Sequence, residues 1–162
     1  MKNIMLFHGS NQDFERVNLD KSRDKRDFGR GFYMTTLKDQ ATRWAQNMFI
    51  RHGGPGCYVY EFVLDIAPDL RIKRFDGLDH EWLDMVKRNR VNGGTQHDYD
   101  VVWGPVANDD TMRTLALFVA GIYTEDMALQ QLSFFKPNDQ VSIHTELALS
   151  CLQLVRKEIH GE

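Results

Sequence analysis

The sequence predicts an α+β fold in a single domain spanning residues 1–162. Three observations lead there. Short β-branched and aromatic runs, such as Cys57–Leu64 (CYVYEFVL) and Tyr99–Trp103 (YDVVW), have the composition of strands. Segments with apolar residues at helical spacing separate them, and the two kinds alternate irregularly rather than as a strict βαβ series. No repeat, low-complexity tract or linker interrupts the chain, whose 162 residues suit one core rather than two.

Ile4 to His8 reads as a first strand, ended by Gly9-Ser10-Asn11. Gln12 to Asp27 is polar, charged and without apolar periodicity, a long surface loop of the sort that carries function. In Arg26-Asp27-Phe28-Gly29-Arg30-Gly31, two glycines flank one residue and predict a tight exposed turn. Phe32 to Thr35 then predicts a short strand, with Tyr33 near its start presenting one open face. The same stretch also suits a plain core tyrosine in a hairpin. Thr36 is a candidate helix N-cap, with Asp39 at the third helical position. Ala41, Trp44, Ala45, Met48 and Phe49 share one helical face and predict a buried stripe, stopped by Gly53-Gly54-Pro55-Gly56.

Leu70–Phe75 predicts a shorter strand after Cys57–Leu64, and Asp79–Arg90 a helix closed by Asn92-Gly93-Gly94. Beyond Tyr99–Trp103, Asp110 or Thr111 opens a helix through Tyr123, and Thr124 caps another through about Leu132. Pro137-Asn138-Asp139 reads as a turn, and Gln140–His144 as a half-buried strand with Val141 and Ile143 inward. A last helix from Thr145 is expected to place Leu147, Ala148, Cys151, Leu152, Leu154 and Val155 inward.

The net charge of −3 excludes affinity founded on bulk attraction to phosphate backbones, though not a local basic patch. The two cysteines, Cys57 and Cys151, lack metal-ligand spacing and read as free thiols of a reducing compartment. The N-terminal apolar run is too short for a signal peptide, and no run approaches the roughly 20 residues of a membrane span. A cytoplasmic protein without membrane contact is expected.

The ingredients of most enzyme classes are missing: there is no GxSxG, P-loop lysine, HExxH or CxxC pair. The GRGF run lacks the third glycine of a dinucleotide fingerprint. His52, His97 and His160 read as scattered surface histidines, and His144 as either polar-face or functional. The loop Gly104-Pro105-Val106-Ala107-Asn108-Asp109-Asp110 can cap a helix or hold a ligand. His8-Gly9-Ser10 sits where side chains leave the first strand, and a structural histidine fits there as well as a functional one.

Four segments together carry a resemblance. Leu6-Phe7-His8-Gly9-Ser10, Asp27 to Thr36 (DFGRGFYMTT) with Ala41 and Trp44-Ala45, Tyr99 to Asp109 (YDVVWGPVAND), and Gln140 to Thr145 (QVSIHT) are similar to a bacterial family of uncharacterised domains grouped with the ADP-ribosyltransferases. The superfamily link rests on an HGS strand, a G-x-Y strand and a late strand opening with an acid or amide, as in the His-Tyr-Glu class. The resemblance implies a split β-sandwich with flanking helices around a cleft for NAD. It implies that His8, Tyr33 and Gln140 are the catalytic set. His8 would bond the adenosine-side ribose, Gly9 the nicotinamide carboxamide, and Tyr33 would stack on the nicotinamide ring. Ser10, Gly31, Phe32, Thr35, Asn108 and Asp109 would complete the NAD site, with no metal.

The implied chemistry is cleavage of the nicotinamide–ribose bond through an oxocarbenium-like transition state. Gln140 stands where the class has glutamate. It can make the hydrogen bonds but carries no charge. Another carboxylate such as Glu146 or Asp109 then contributes, or the acceptor is a strong nucleophile, or NAD is bound without turnover. The expectation is a mono-ADP-ribosyltransferase with a protein or nucleic-acid acceptor, toxin-like and neutralised by a small antitoxin partner. An NAD glycohydrolase and a silent NAD-binding module are the alternatives. The loop Asp20–Arg26, with cations Lys21, Arg23, Lys25 and Arg26, either steers the pyrophosphate or an anionic acceptor, or is simply solvated.

Overall fold

The computed structural model describes residues 2–106, 109–133 and 138–160, the side chains at 106, 109, 110 and 138 apart. In chain order these form β1 (Lys2–Ser10), a 3₁₀ turn (Leu19–Lys21), β2 (Phe32–Met34), α1 (Lys38–His52), β3 (Cys57–Ile66) and β4 (Ile72–Arg74). α2 (His80–Asn92), β5 (Val101–Val106), α3 (Asp109–Val119), α4 (Glu125–Leu132), β6 (Asn138–Ile143), α5 (Glu146–Ser150) and β7 (Leu152–His160) follow. The architecture is α+β, with a three-stranded sheet ordered β1-β3-β7 and a four-stranded sheet ordered β2-β6-β5-β4. All neighbours run antiparallel except β4 and β5. No helix among the described residues is long and apolar enough to cross a membrane.

Alternation along the strands builds two cores. Leu6 of β1 and Tyr60, Phe62 and Leu64 of β3 meet Met34, Val101, Val141 and Ile143 of the other sheet. On that second sheet's opposite face, Tyr33 and Val102 pack with Trp82, Leu83 and Val86 of α2, Leu115 and Phe118 of α3, and Ala128 and Leu132 of α4. The four-stranded sheet is therefore covered on both faces. Gln140 and Ser142 are buried along with Val141 and Ile143, so β6 is not the half-buried strand that its alternation predicts. Asn138 and Asp139 begin β6 instead of turning, and Pro137 lies outside the described residues.

The sheets are stitched together where the Phe7 N–H donates to the Thr35 carbonyl (2.7 Å) and the Thr35 N–H to that of Phe7 (2.8 Å). α1 lies against β1 and β3, close enough that a Cβ on Gly9 would stand 2.0 Å from the Ala41 carbonyl oxygen. That approach needs small residues on both sides, and Ala41 and Ala45 are the apolar residues of α1 that are fully buried. The expected five-residue stripe is narrower than its spacing implies, because Trp44 is 37% exposed and turns to the cleft described below.

Other local signals hold. Asp79 caps α2 by accepting from the Trp82 N–H (2.8 Å), Thr124 caps α4, and Gly53 and Gly93 end α1 and α2. Thr36 does not cap α1. Leu37 takes that position without a side-chain bond, and the Thr36 hydroxyl goes to the Asp139 carboxylate. α3 begins at Asp109 and stops at Val119, short of Tyr123. The long final helix is also overturned: α5 ends at Ser150, and Leu152–His160 forms β7 on the second edge of β3. Leu154 and Val155 are exposed there rather than inward, and Leu147 is exposed on α5. Cys57 and Cys151 are free thiols.

Gly9→Ala should cost about 3 kcal/mol, because the added methyl meets helix backbone and not a movable side chain. Urea unfolding is expected to show a lower midpoint with an unchanged slope.

Candidate functional site

Past the Phe7–Thr35 stitch the two sheets diverge, and a cavity of about 740 Å³ opens between them. The β1 end, β2 and β6 line it, α1 forms a wall through Trp44, Met48 and His52, and the loop after β1 covers it. His8, Gly9, Ser10, Gly31, Phe32, Tyr33, Thr35 and Gln140 all border this one space. Asn108 and the side chain of Asp109 lie outside the described residues. Glu146, at the start of α5, is exposed and does not line the cavity.

His8 holds the two sheets in register from the β1 side. Its Nδ1 lies 2.7 Å from the Tyr33 carbonyl oxygen, which fixes the proton on Nδ1 and leaves Nε2 as an acceptor. The ring is tilted on Phe32 at 4.3 Å, and Phe14 meets its edge at 5.8 Å. Burial, more than the positive charge of Arg26, pushes the imidazole pKa down to about 4, so it is neutral near pH 7.

The glycine turn that presents Tyr33 forms for two separate reasons. Gly29 has φ +93°, and a Cβ on Gly31 would stand 2.5 Å from the Ile143 carbonyl oxygen and 2.7 Å from His144 Nδ1. His144 Nδ1 bonds the Arg30 carbonyl (2.8 Å), and its Nε2 bonds the Ser142 hydroxyl (2.7 Å). His97 bonds the Phe28 carbonyl through Nε2 (2.8 Å) and packs at right angles to His144. These two histidines brace the turn from beneath. His97 is thus not the surface residue expected, and burial lowers the His144 pKa to about 3.

Tyr33 is not open on one face. It is 6% exposed; its hydroxyl donates to the Gly29 carbonyl (2.6 Å) and accepts from the Phe28 N–H (3.0 Å). Burial pushes the phenol well above its ordinary pKa. The cavity-facing side of the ring is covered by Arg26, whose guanidinium carbon lies 4.1 Å from the ring centroid and 5.8 Å from that of Trp44.

Tyr33 pairs with Ser142 across β2 and β6, so Gln140, two residues along, shares its face of the sheet. Gln140 is 1% exposed, and its Oε1 has no hydrogen-bond partner. The neighbouring Asp139 anchors this end of β6. Its carboxylate accepts from Trp103 Nε1 (2.8 Å) and the Thr36 hydroxyl, and its carbonyl from Gln40 Nε2 (3.1 Å).

The cavity is positively charged although the chain is net negative. Arg16, Lys21, Arg23 and Arg26 line it, and none has an ion pair among the described residues. Its one lining carboxylate, Asp13, is paired with Lys157 at 2.5 Å. Several cations elsewhere are paired with carboxylates, as in Lys38 with Glu61 and Glu158, Lys73 with Glu81, and Arg90 with Asp27. The covering loop is held in place by Arg30, which donates to the Asp20 and Ser22 carbonyls, and by the Gly94 N–H, which donates to the Asp24 carboxylate. Sequence reasoning singled out Lys21, Arg23 and Arg26 but missed Arg16, and it turned Trp44 and Met48 into the core. A tryptophan flanked by two alanines on one helical face was the available signal that the stripe is too wide for close packing.

Residues 4–154 match a family described as a protein of unknown function, DUF3990, and the chain belongs to that family. No curated protein matches the chain, and no solved structure does.

Both His8 and His144 resist protonation in the folded state but titrate near 6.5 once unfolded, so the unfolded chain binds more protons below that pH. Thermal stability should hold above about pH 6.5 and fall progressively toward pH 4, before most carboxylates titrate. Melting temperatures across that range check this, and His8→Asn should make the fall shallower.

Proposed function

We propose that this protein is an NAD-dependent mono-ADP-ribosyltransferase of the split-sandwich kind, cleaving NAD to nicotinamide and passing ADP-ribose to a macromolecular acceptor. The observation that carries the reading is the convergence of His8, Tyr33 and Gln140, from three strands of two sheets, on one cavity furnished with four unpaired cations. Its size, about 740 Å³, suits a dinucleotide-sized ligand. Two charges on a pyrophosphate are what unpaired arginines and lysines take up. Gln140 borders the cavity with an Oε1 that is buried and without a hydrogen-bond partner, and a turn of the side chain would offer it to ribose hydroxyl donors. Phe7 spends its N–H and C=O on Thr35; strand alternation aims those of Gly9 toward the same edge, where they suit a carboxamide.

In this reading His8 Nε2 accepts from a ribose hydroxyl, while Nδ1 stays engaged with Tyr33. Tyr33 supplies a flat face held rigid by its two hydroxyl bonds. Gln140 orients the second ribose. Rate enhancement then comes from positioning and from a dry site, because no carboxylate of the described cavity faces the reacting carbon free of an ion pair. That same fact favours a second reading, a silent NAD-binding module that acts through a protein partner. A toxin-like role with a small antitoxin and action in the cytoplasm belong to this proposal; NAD glycohydrolysis, with water as the acceptor, is its alternative.

Purified protein incubated with NAD, with and without cell lysate, should release free nicotinamide, followed by chromatography. His8→Asn keeps a donor near the Nδ1 position but removes Nε2, and should reduce release at least about tenfold without lowering the melting temperature much. Gln140→Glu should raise release. NAD binding without release would favour the silent module, and no NAD binding at all would end both readings.

A further inference from the structure

Arg26 is the one cavity cation stacked on an aromatic face that the proposed reading gives to the substrate. Its guanidinium carbon lies 4.1 Å from the Tyr33 ring centroid and 5.8 Å from that of Trp44 on the facing wall. Half-buried as it is, it makes no hydrogen bond or ion pair among the described residues. Arginine has five N–H donors, and leaving them all unused inside a cavity while the neighbouring Arg90 takes the Asp27 carboxylate is a costly arrangement. It persists here on contact with two aromatic rings, which attract a planar delocalised cation.

We propose that Arg26 is a placeholder: it fills the Tyr33–Trp44 slot in the free protein, yields it to the flat cationic pyridinium of the substrate, and swings onto the pyrophosphate. This rests on the reading of the cavity as an NAD site. The two cations match in shape and charge, so one replaces the other with little change in what the slot feels. Charge-assisted, bidentate bonds to a phosphate are stronger than a stacked contact, which gives Arg26 a reason to leave. When the bond between the ring nitrogen and ribose C1′ breaks, its electron pair stays on the nitrogen and the departing nicotinamide is neutral. The slot then holds a ring without the charge it favours, and Arg26 returns as the product leaves.

Titration calorimetry on the full chain tests this with three probes: 1-methylnicotinamide (the ring as a cation without phosphate), neutral nicotinamide, and ADP-ribose (the pyrophosphate without the ring). Arg26→Ala should bind 1-methylnicotinamide about fivefold tighter than the parent protein. The same variant should bind ADP-ribose about tenfold more weakly. Arg26→Gln keeps the side-chain stem, guards against a collapsed slot, and should move both affinities the same way. The parent protein should prefer 1-methylnicotinamide to nicotinamide. If the variants bind 1-methylnicotinamide no tighter while ADP-ribose still binds the parent protein, the placeholder role is wrong and the NAD reading stands. Equal gains for the neutral and cationic rings would also overturn it, since Arg26 would then be only a steric obstacle. Absence of ADP-ribose binding to every form would remove the NAD reading itself, and this inference with it.

Discussion

Two hydrogen bonds between Phe7 and Thr35 determine where this molecule can hold anything. On one side of that stitch the sheets close over an apolar core, with Leu6, Tyr60 and Phe62 facing Met34, Val141 and Ile143. On the other side the strands part, and backbone groups that would otherwise continue the pairing are left facing a cavity. The bond from His8 Nδ1 to the Tyr33 carbonyl is a third stitch across the same gap, one residue further on. It sets the imidazole's orientation and tautomer and also holds the gap at a fixed width. Stability and site geometry are therefore carried by the same few atoms.

The distribution of charge completes this constraint. A folded surface ordinarily lets each arginine or lysine find a carboxylate or water, and several outside the cavity, such as Lys38, Lys73, Arg90 and Lys157, do find carboxylates. Four cations border one hollow without an ion pair among the described residues; Arg16, Lys21 and Arg23 are exposed to screening solvent, and Arg26 is the half-buried one. The loop that bears them is held by bonds at Asp20, Ser22 and Asp24. Arg26 stacks on Tyr33, whose ring it covers.

Much of this was legible in sequence because local chemistry and tertiary context agree. The turn at Gly29 and Gly31, the cap at Thr124, and strands β1, β3 and β5 each follow from a few neighbouring residues, whereas Asp79, read as the first residue of its helix, is the cap of α2. Where they disagree, the sequence misleads. Leu152–His160 has apolar residues that fit a helical face, yet it pairs along β3, whose second edge would otherwise be bare. β6 alternates like a half-exposed strand, but a helical layer lies over its polar face, and this shelter is invisible from β6 itself. Tyr33 looked open for the opposite reason: nothing in the Gly-Phe-Tyr stretch reveals that a residue seven positions earlier folds back over the ring. Trp44 and Met48 were assigned to the core because periodicity reports which residues share a face, not whether that face meets protein or a hollow.

The amide at position 140 makes sense within this charge arrangement. A carboxylate there would be buried in the lining of the same cavity as Arg16, Lys21, Arg23 and Arg26, whose positive charge would favour its ionised form. An ion pair with one of them would stabilise the free protein and leave one unpaired cation fewer in the cavity. Glutamine keeps the acceptor oxygen and the shape while leaving all the positive charge available. Among the described residues its Oε1 has no hydrogen-bond partner and the guanidinium of Arg26 no ion pair, so a buried acceptor and a stacked cation both stand without the partners such groups ordinarily have.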